Sequence, residues 1–346
     1  MHARNIGVPA SVLATGALIF GLSMVVRGAP STTRALGSSF LPQYTRPTDI
    51  PFPKDNAYTP ARERLGRVLF FDPRLSGSNW ISCASCHNPG FSWGDGLPRA
   101  LGHGMQTLAR RTPTILNLAW ADAVFWDGRA DTLEQQALGP ISAPGEMNQP
   151  VGDLAKKLAS IEGYRTLFAD AYPGEPLSPP TVAKAIATFE RGIVSVKSPF
   201  DRWVASDDRA ISEDAARGFV VFNVKAGCAK CHSGWRFTDD GFHDIGLPGA
   251  DVGRGALLNI PSMQHAFKTP TLRDVDRRAP YMHDGSLATL EEVIDFYDRG
   301  GAATRESLSP DVKRLGLTSE EKQQLIAFLH TLTSPPEPIA VPALPR

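Results

Sequence analysis

The sequence predicts a mostly α-helical protein built from two similar domains. Its 346 residues are long for one domain and sufficient for two, each with its own hydrophobic core. A helical segment followed by the pattern C-x-x-C-H occurs twice, which indicates a weak internal repeat. No region is rich in strand-forming residues, and 29 prolines together with 31 glycines indicate many loops.

The N-terminal residues have the composition of a targeting segment. Residues 8–26 carry no charge and lie between Arg4 and Arg27. This stretch is close to the roughly 20 residues that span a bilayer as a helix. A signal peptide has a shorter apolar core and a small-residue cleavage site. Two interpretations therefore remain, a cleaved signal peptide and a retained membrane anchor. Both predict that the rest of the chain is exported.

The helices expected around the repeat follow from apolar spacing and from helix breakers. Residues 61–75 are predicted to form a helix that Pro73 ends, just before the first C-x-x-C-H motif. Residues 211–223 are its counterpart before the second motif. Residues 178–195 have apolar side chains at helical spacing and are expected to link the two halves.

Two later helices are predicted to begin at threonines. Thr289 has Glu292 three positions later, and Thr318 has Glu321 in the same relation, which is the capping-box pattern. The first of these helices is expected to stop at Gly300, since glycine commonly ends a helix.

The remaining features set the organisation of the chain. Lysine plus arginine and aspartate plus glutamate both number 36, so the charge balance predicts no nucleic-acid partner. Beyond residues 8–26 no window is apolar enough to cross a membrane, which predicts a soluble exported part. The expected organisation is a targeting segment (1–30), a linker (31–60), an N-terminal domain (61–200), a C-terminal domain (201–333) and a loose tail (334–346).

All four cysteines belong to the two C-x-x-C-H motifs. The motif residues are Cys83, Cys86 and His87, then Cys228, Cys231 and His232. This pattern is the attachment signature of c-type haem, because two thiols add to the two vinyl groups of one porphyrin and the adjacent histidine binds the iron. Disulfides are the usual use of cysteine in an exported chain, and zinc needs four ligands close together. Two distant copies of one motif favour two covalently bound haems over both.

At this point the sequence resembles a known family, the bacterial di-haem cytochrome c peroxidases and their MauG-like relatives. The resemblance covers about residues 60–332. The matching stretches, in the family's order, are LGRVLFFDPRLS, ISCASCHNP, RRTPTILNLAW, FWDGRADTLEQQALGPI, CAKCHSG, TPTLRDV and PYMHDGSLATLEEVIDFYDRGG. The resemblance implies a periplasmic protein with two cytochrome-c-like domains whose haems face each other. The haem on His87 would bind hydrogen peroxide, and the haem on His232 would transfer electrons.

The resemblance also assigns roles to three residues outside the motifs. His103 matches a second histidine ligand of the peroxidatic iron, which leaves when the other haem is reduced. The glycines on both sides of it allow a mobile loop. Glu146 matches the distal acid that moves a proton between the two peroxide oxygens. Trp126 matches the tryptophan that relays electrons between the haems.

The distal ligand of the second haem distinguishes the branches of the family. Tyr297 stands where conventional peroxidases have a methionine and MauG-like members have a tyrosine. A thioether favours ferrous iron, whereas a phenolate favours ferric and higher states. The spacing of Leu290, Val293 and Ile294 with Tyr297 predicts one inward-facing side of a helix. Met282 is a rival ligand.

Two positions depart from the family pattern. The family binds calcium between its domains through side chains that match Arg111 and Arg278 here. Arginine has no acceptor atom, so only the carbonyl of Pro280 stays as a candidate ligand and calcium is doubtful. MauG itself has a surface tryptophan two residues before its second haem motif, whereas this chain has Ala226.

The resemblance therefore implies a MauG-like enzyme that uses hydrogen peroxide. It would hold two oxidising equivalents across the haems and oxidise a partner protein, at an aromatic side chain such as tryptophan. One alternative is a conventional cytochrome c peroxidase that receives electrons from a small cytochrome or a cupredoxin. Another is a di-haem electron carrier without enzyme activity. The oligomeric state stays open, and a homodimer is one option.

Overall fold

The computed structural model describes residues 37–346, which fold mainly into α-helices. The helices are Pro60–Phe71, Cys83–Cys86, Leu133–Ser142, Val151–Ala159, Glu162–Ala171, Pro179–Arg191, Pro199–Val204, Glu213–Asn223, Gly255–Leu258, Leu290–Asp298 and Ser319–His330. The strands Phe242–His243 and Phe267–Lys268 form one short antiparallel pair. The predicted mostly α-helical class is confirmed. The predicted targeting segment lies outside the described residues, and none of the helices from residue 37 onward is long and apolar enough to cross a membrane.

The first half of the described chain packs around the helices Pro60–Phe71 and Pro179–Arg191. Thr59 begins the first of these helices by accepting a hydrogen bond from the Arg62 backbone N–H at 3.2 Å. Ser178 begins the second in a reciprocal capping box. The core between them contains Leu65, Leu69, Phe70, Val182, Ile186 and Phe189.

The second half packs around the helices Glu213–Asn223 and Ser319–His330. Its core is aromatic, and most ring pairs meet edge to face or tilted, whereas Tyr44 and Phe237 stack with an angle of 27° between their planes. The rings are those of Tyr44, Phe200, Trp203, Phe219, Phe222, Phe237 and Phe328. Tyr44 lies in the predicted linker, so part of that segment packs in the second half. The boundaries of the two predicted domains stay a prediction.

One glycine in each half permits a close helix crossing before each C-x-x-C-H motif. A Cβ atom on Gly66 would lie 1.9 Å from the carbonyl oxygen of Ala185. A Cβ atom on Gly218 would lie 1.9 Å from the carbonyl oxygen of Gln324. Backbones that approach this closely exclude every side chain larger than hydrogen. The internal repeat inferred from the sequence is therefore repeated in the packing of the two helix pairs.

Replacing Gly218 by alanine is expected to destabilise the folded protein. The added methyl group meets backbone atoms that cannot rotate away, and overpacking of this kind costs roughly 1–3 kcal/mol. Gly152→Ala is the matched control, because Gly152 is also helical but nothing lies within 4 Å of its added Cβ atom. Chemical denaturation followed by circular dichroism measures both variants. Equal midpoints for Gly218→Ala and Gly152→Ala would contradict the close crossing.

The observed helix ends refine the predicted ones. The first predicted helix stops at Phe71 and not at Pro73, because Asp72 is extended with φ −88° and ψ 114° and accepts from the Arg74 backbone N–H. The residue before a proline avoids helical dihedral angles. Thr318 forms the predicted capping box with Glu321.

The capping box predicted at Thr289 is only half formed. Thr289 Oγ1 accepts a hydrogen bond from the Glu292 backbone N–H at 3.2 Å, as predicted. The Glu292 carboxylate accepts instead from the Ala288 backbone N–H at 2.5 Å. The donor to the Glu292 carboxylate is therefore the backbone N–H one residue before the expected one, which is that of Thr289.

The tail over residues 334–346 is not loose as predicted. It has no regular secondary structure, but it runs back from the second half and contacts the first. Arg67 Nη2 donates to the Ala340 carbonyl at 2.6 Å, and the Gly163 N–H donates to the Arg346 carbonyl at 2.9 Å. Ile339 packs against the first core. A tail rich in proline forms few bonds within itself, so its contacts with the folded domain hold it.

Candidate haem site

One cavity lies between the two C-x-x-C-H motifs. Its volume is about 1160 Å³, which exceeds the roughly 300–1,000 Å³ of an ordinary small-molecule pocket. The motif residues in its wall are Cys86, His87, Cys228, Cys231 and His232. The remaining motif cysteine, Cys83, packs against the first core. The fold therefore brings two motifs that are distant in sequence to a single space.

Both motif histidines are oriented in the same way. His87 Nδ1 is hydrogen-bonded to the Trp93 carbonyl at 3.1 Å, and His232 Nδ1 to the Phe237 carbonyl at 2.9 Å. A carbonyl only accepts, so each Nδ1 carries the proton and each Nε2 keeps a lone pair for a metal. Burial lowers the pKa of both histidines, which favours the neutral imidazole that a metal requires.

The two carbonyl acceptors were not predicted from the sequence. Trp93 and Phe237 have φ angles of 64° and 55°, in the left-handed region that non-glycine residues rarely adopt. In each half, the residue with this conformation is the one whose carbonyl accepts the hydrogen bond from the motif histidine. A positive φ leaves no trace in an aromatic residue's identity, so the sequence contains no signal for these contacts.

The cysteines have no disulfide partner among residues 37–346. Burial raises the pKa of the Cys86 thiol to about 11 and that of the Cys228 thiol to about 12. Cys231 lies with Asp239 and His243 in a trio of metal-binding side chains, with ligand atoms within 4.8 Å of one another. The trio includes a cysteine of the second motif and no residue of the first. A metal ion bound there would not explain why the cavity is lined by both motifs, so two haems remain the better interpretation.

Glu146 lies in the cavity wall, as the proposed distal acid requires. Burial raises the pKa of its carboxyl group above the ordinary glutamate value, and the charge of Arg129 partly offsets this effect. Gln136 and Pro140 line the cavity as well and were missed in the sequence analysis. They stand four residues apart on the helix Leu133–Ser142 and share one face, a spacing that was available in the sequence.

His103 does not line the cavity but is joined to the Glu146 loop. Its backbone N–H lies 3.1 Å from the Gly145 carbonyl and 2.8 Å from the Glu146 carbonyl. Its Nδ1 atom is buried without a hydrogen-bond partner in the described part of the chain. A Cβ atom on Gly102 would meet the Gly145 carbonyl oxygen at 1.9 Å, so this side of the loop is closely packed. Ligation by His103 stays a prediction.

Trp126 lies in the wall of the cavity that both motifs line. Its indole Nε1 donates to the Arg111 carbonyl at 3.0 Å, and its own carbonyl accepts from the Lys268 N–H at 2.8 Å. The His283 ring centroid is 6.4 Å from the indole, and the same His283 ring stacks on Phe267 at 3.6 Å. These contacts fix the indole between segments that come from both halves.

The helix Leu290–Asp298 presents its predicted inward face to the cavity. Leu290, Val293, Ile294 and Tyr297 all line it. Burial raises the pKa of the Tyr297 phenol, and the nearby thiols of the second motif raise it further. Met282, the rival ligand, lies in the same cavity wall with φ 71°. The structure thus brings both candidate ligands into the cavity.

The positions that match the family's calcium ligands are buried cations. Arg111 and Arg278 are each 8% exposed and both line the cavity. Pro280, the weak candidate, follows a cis peptide bond. Two guanidinium groups in this space disfavour a divalent cation by repulsion.

The site fits c-type haem on the chemistry of its donors. It offers two pairs of half-buried thiols, each followed by a histidine whose Nε2 is available, and a large apolar cavity with a few polar groups. The thiols and imidazoles supply attachment and iron ligation for two porphyrins. Glu146, Trp126 and Tyr297 supply the further polar and aromatic groups in the wall.

Comparisons with known proteins agree with this site. A family model described as di-haem cytochrome c peroxidase matches residues 60–209. The methylamine utilization protein MauG of Methylorubrum extorquens is 52% identical over 307 residues, which cover 88% of this chain and 87% of the relative. The protein of the same name from Methylophilus methylotrophus is 50% identical and covers 88% and 92%. Cytochrome c551 peroxidase of Pseudomonas aeruginosa is 35% identical and covers 82% of each chain.

Solved structures support the same assignment. A MauG-like protein associated with microbial copper homeostasis superposes with a TM-score of 0.77 at 32% identity, covering 83% of this chain and 94% of that chain. The diheme peroxidase BthA from Burkholderia thailandensis superposes with a TM-score of 0.70 at 25% identity, covering 80% and 87%. The resemblance found in the sequence is confirmed. The chain belongs to the di-haem cytochrome c peroxidase family, in its MauG-like branch, and is a haem-dependent oxidoreductase that acts with peroxide.

Proposed function

We propose that this chain binds two covalent haems and uses hydrogen peroxide to oxidise a partner protein. The proposed attachment residues are Cys83 and Cys86 for the first haem and Cys228 and Cys231 for the second, with His87 and His232 as iron ligands. When bound, the haems supply the iron that reacts with peroxide and the capacity to hold oxidising equivalents. The proposed location is the periplasm, reached through the segment at 8–26 as a signal peptide or an anchor.

The observation that carries this proposal is the single cavity lined by both motifs. A simple electron carrier needs no open space with a carboxyl group beside its haem. Here Glu146 lies in the wall, and burial raises its pKa toward the range in which one group both accepts and donates a proton. Glu146 would take a proton from one peroxide oxygen and return it to the other.

Oxidation of a partner protein is favoured by the two candidate electron-transfer groups. Trp126 is held between segments of both halves, where an aromatic ring can exchange electrons with either haem. Tyr297 lies near the thiols of the second motif, which supports it as a ligand of the second iron. A phenolate stabilises ferric and higher states, so the second haem would store an oxidising equivalent instead of accepting electrons from a small cytochrome.

A conventional cytochrome c peroxidase is the second candidate function. Met282 favours it, because this side chain lines the same cavity and would give a His/Met haem with a higher potential. The relatives with 52% and 50% identity are both named MauG, whereas the cytochrome c551 peroxidase of Pseudomonas aeruginosa is 35% identical. The MauG-type reaction is therefore the first choice, with an aromatic side chain such as tryptophan as the target.

Haem content tests the basis of the proposal. The intact mass and the pyridine haemochrome spectrum are expected to show two covalent haems per chain. Cys231→Ser is expected to weaken attachment of the second haem only, because one thioether and the His232 ligand are left. Cys86→Ser is the matched variant for the first haem. A mass that corresponds to one haem or to none would overturn the proposal.

A further inference from the structure

Two buried arginines in the cavity wall have no carboxylate partner. Arg111 and Arg278 are each 8% exposed, and both line the cavity that contains the two motifs. The side chain of Arg111 makes no hydrogen bond or ion pair with any described residue, and its Nε atom is buried and unpaired. Arg278 donates only to backbone carbonyls, those of Thr271 at 2.6 Å and Asp274 at 3.4 Å.

The other arginines of the same wall either have carboxylate partners or, like Arg99, are exposed to water. Arg110 pairs with Asp127 and Asp251 at 2.6 and 2.7 Å. Arg236 pairs with Asp240. Among the arginines of the wall, the buried charge without a carboxylate partner is therefore that of Arg111 and Arg278.

The carboxylates whose charges act on the arginine pair are hydrogen-bonded to other groups. Asp95 accepts from the Thr112 hydroxyl at 2.7 Å and from the Leu97 N–H at 3.0 Å. Asp274 accepts from the backbone N–H and the hydroxyl of Ser334, both at 2.8 Å. Neither carboxylate forms a salt bridge with the pair, although the charges of Asp95 and Asp274 partly offset those of Arg111 and Arg278. The two guanidinium groups therefore keep donors free for a directly bound anion.

The two guanidinium groups also repel each other. Burial and, after it, the charge of Arg111 together lower the pKa of Arg278 to about 10. A buried ion without a partner of opposite charge is unfavourable in proteins, so two neighbouring guanidinium groups favour a bound anion. A cation such as calcium would increase the repulsion, whereas a carboxylate would relieve it.

We propose that Arg111 and Arg278 form a carboxylate site for haem propionate at the boundary between the two halves. This inference rests on the proposed binding of two haems. Haem carries two propionate carboxylates, and arginine binds carboxylates in a bidentate geometry that suits buried ion pairs. The Arg111 carbonyl also accepts the Trp126 indole N–H at 3.0 Å, and the Arg111 N–H donates to the His283 carbonyl at 2.9 Å. Propionate binding would thus order the segment that holds Trp126.

Reduction potentials test the site without any turnover of peroxide. Redox titration of the purified holoprotein, followed by visible spectroscopy, is expected to show a lower haem potential in Arg111→Gln and Arg278→Gln than in the wild type. A nearby positive charge stabilises the reduced haem, and its removal favours the ferric state. Arg99→Gln is the matched control, because Arg99 lines the same cavity but is exposed to water and is expected to leave the potential unchanged.

Further measurements distinguish propionate from other possible occupants of the arginine site. Arg278→Lys keeps the charge and is expected to titrate closer to the wild type than Arg278→Gln, which preserves the test if a glutamine variant fails to fold. The wild-type potential is expected to be independent of added chloride or formate at constant ionic strength and of EDTA. A potential that depends on chloride or formate would show that a free anion, and not propionate, occupies the site. A potential that depends on EDTA would show a bound cation. Either result overturns the inference.

The failure of this inference is distinguishable from the failure of the proposed function. The pyridine haemochrome assay is carried out first on every variant. A wild type with fewer than two haems would reject the proposed function. Two haems with glutamine variants that titrate like Arg99→Gln would reject the propionate site alone.

Discussion

Glu146→Gln is expected to slow the reaction of the protein with hydrogen peroxide by a factor of roughly 10² or more, the usual range for a general acid–base group. Glutamine keeps the size of the side chain but cannot take a proton from peroxide. Stopped-flow spectroscopy of the holoprotein mixed with peroxide measures the rate. Glu306→Gln is the control, because Glu306 is an exposed carboxylate outside the cavity wall. Equal rates for the wild type and Glu146→Gln would remove Glu146 from the mechanism.

The pH profile of the same reaction provides a second signature of Glu146. Burial raises the pKa of this carboxyl group, so the carboxylate that acts as the base is lost as the pH falls through the raised value. The wild-type rate is therefore expected to decline at a higher pH than an ordinary glutamate would produce. Glu146→Gln is expected to lack this step. A step that persists in Glu146→Gln would assign it to another group.

Replacing Tyr297 is expected to have the largest effect on the second haem. If its phenolate binds the iron, Tyr297→Met raises the reduction potential strongly, because axial ligands set haem potentials over a range of about 0.8 V. The wild-type second haem is expected to resist reduction by a small cytochrome, and the diferric protein is expected to react directly with peroxide. Redox titration and electron paramagnetic resonance of wild type, Tyr297→Met and Tyr297→Phe measure these properties.

Met282→Leu is the matched variant for the rival ligand. It is expected to leave the potential of the second haem unchanged, since both residues line the cavity but only one can complete the iron coordination. A loss of the native spectrum in Met282→Leu together with no change in Tyr297→Phe would identify Met282 as the ligand. The conventional peroxidase would then be the better description of the chain.

The residues that line the cavity were largely predictable from the sequence because motifs and helical spacing depend on residue identity. The spacing within the two C-x-x-C-H motifs predicts cysteine attachment and histidine ligation, and residues of both motifs line the cavity. The helical spacing of Leu290, Val293, Ile294 and Tyr297 predicts a shared face, and that face lines the cavity as well. The helix Ser319–His330 was predicted equally well, because its capping box is a local interaction between side chains and backbone three residues apart.

Other features depend on contacts between distant segments and were not predictable. The carbonyls of Trp93 and Phe237 orient the histidines through backbone conformation, which any residue type provides. The sequence does not distinguish Gly66 and Gly218 from other helical glycines, because only the neighbouring helix leaves no room for a side chain there. The tail was predicted to be loose because proline-rich segments have little local order, but its hydrogen bonds are made with residues far away in the chain.

That tail has a consequence for the order of assembly. Ala340 lies 273 residues after its partner Arg67, and Arg74 donates to the Pro345 carbonyl at 3.1 Å. The surface of the first half is therefore completed by a segment that the ribosome makes after both cysteine pairs. Until that segment is made, the first core lacks the contact of Ile339. The first half therefore cannot complete its packing before the whole chain has been synthesised.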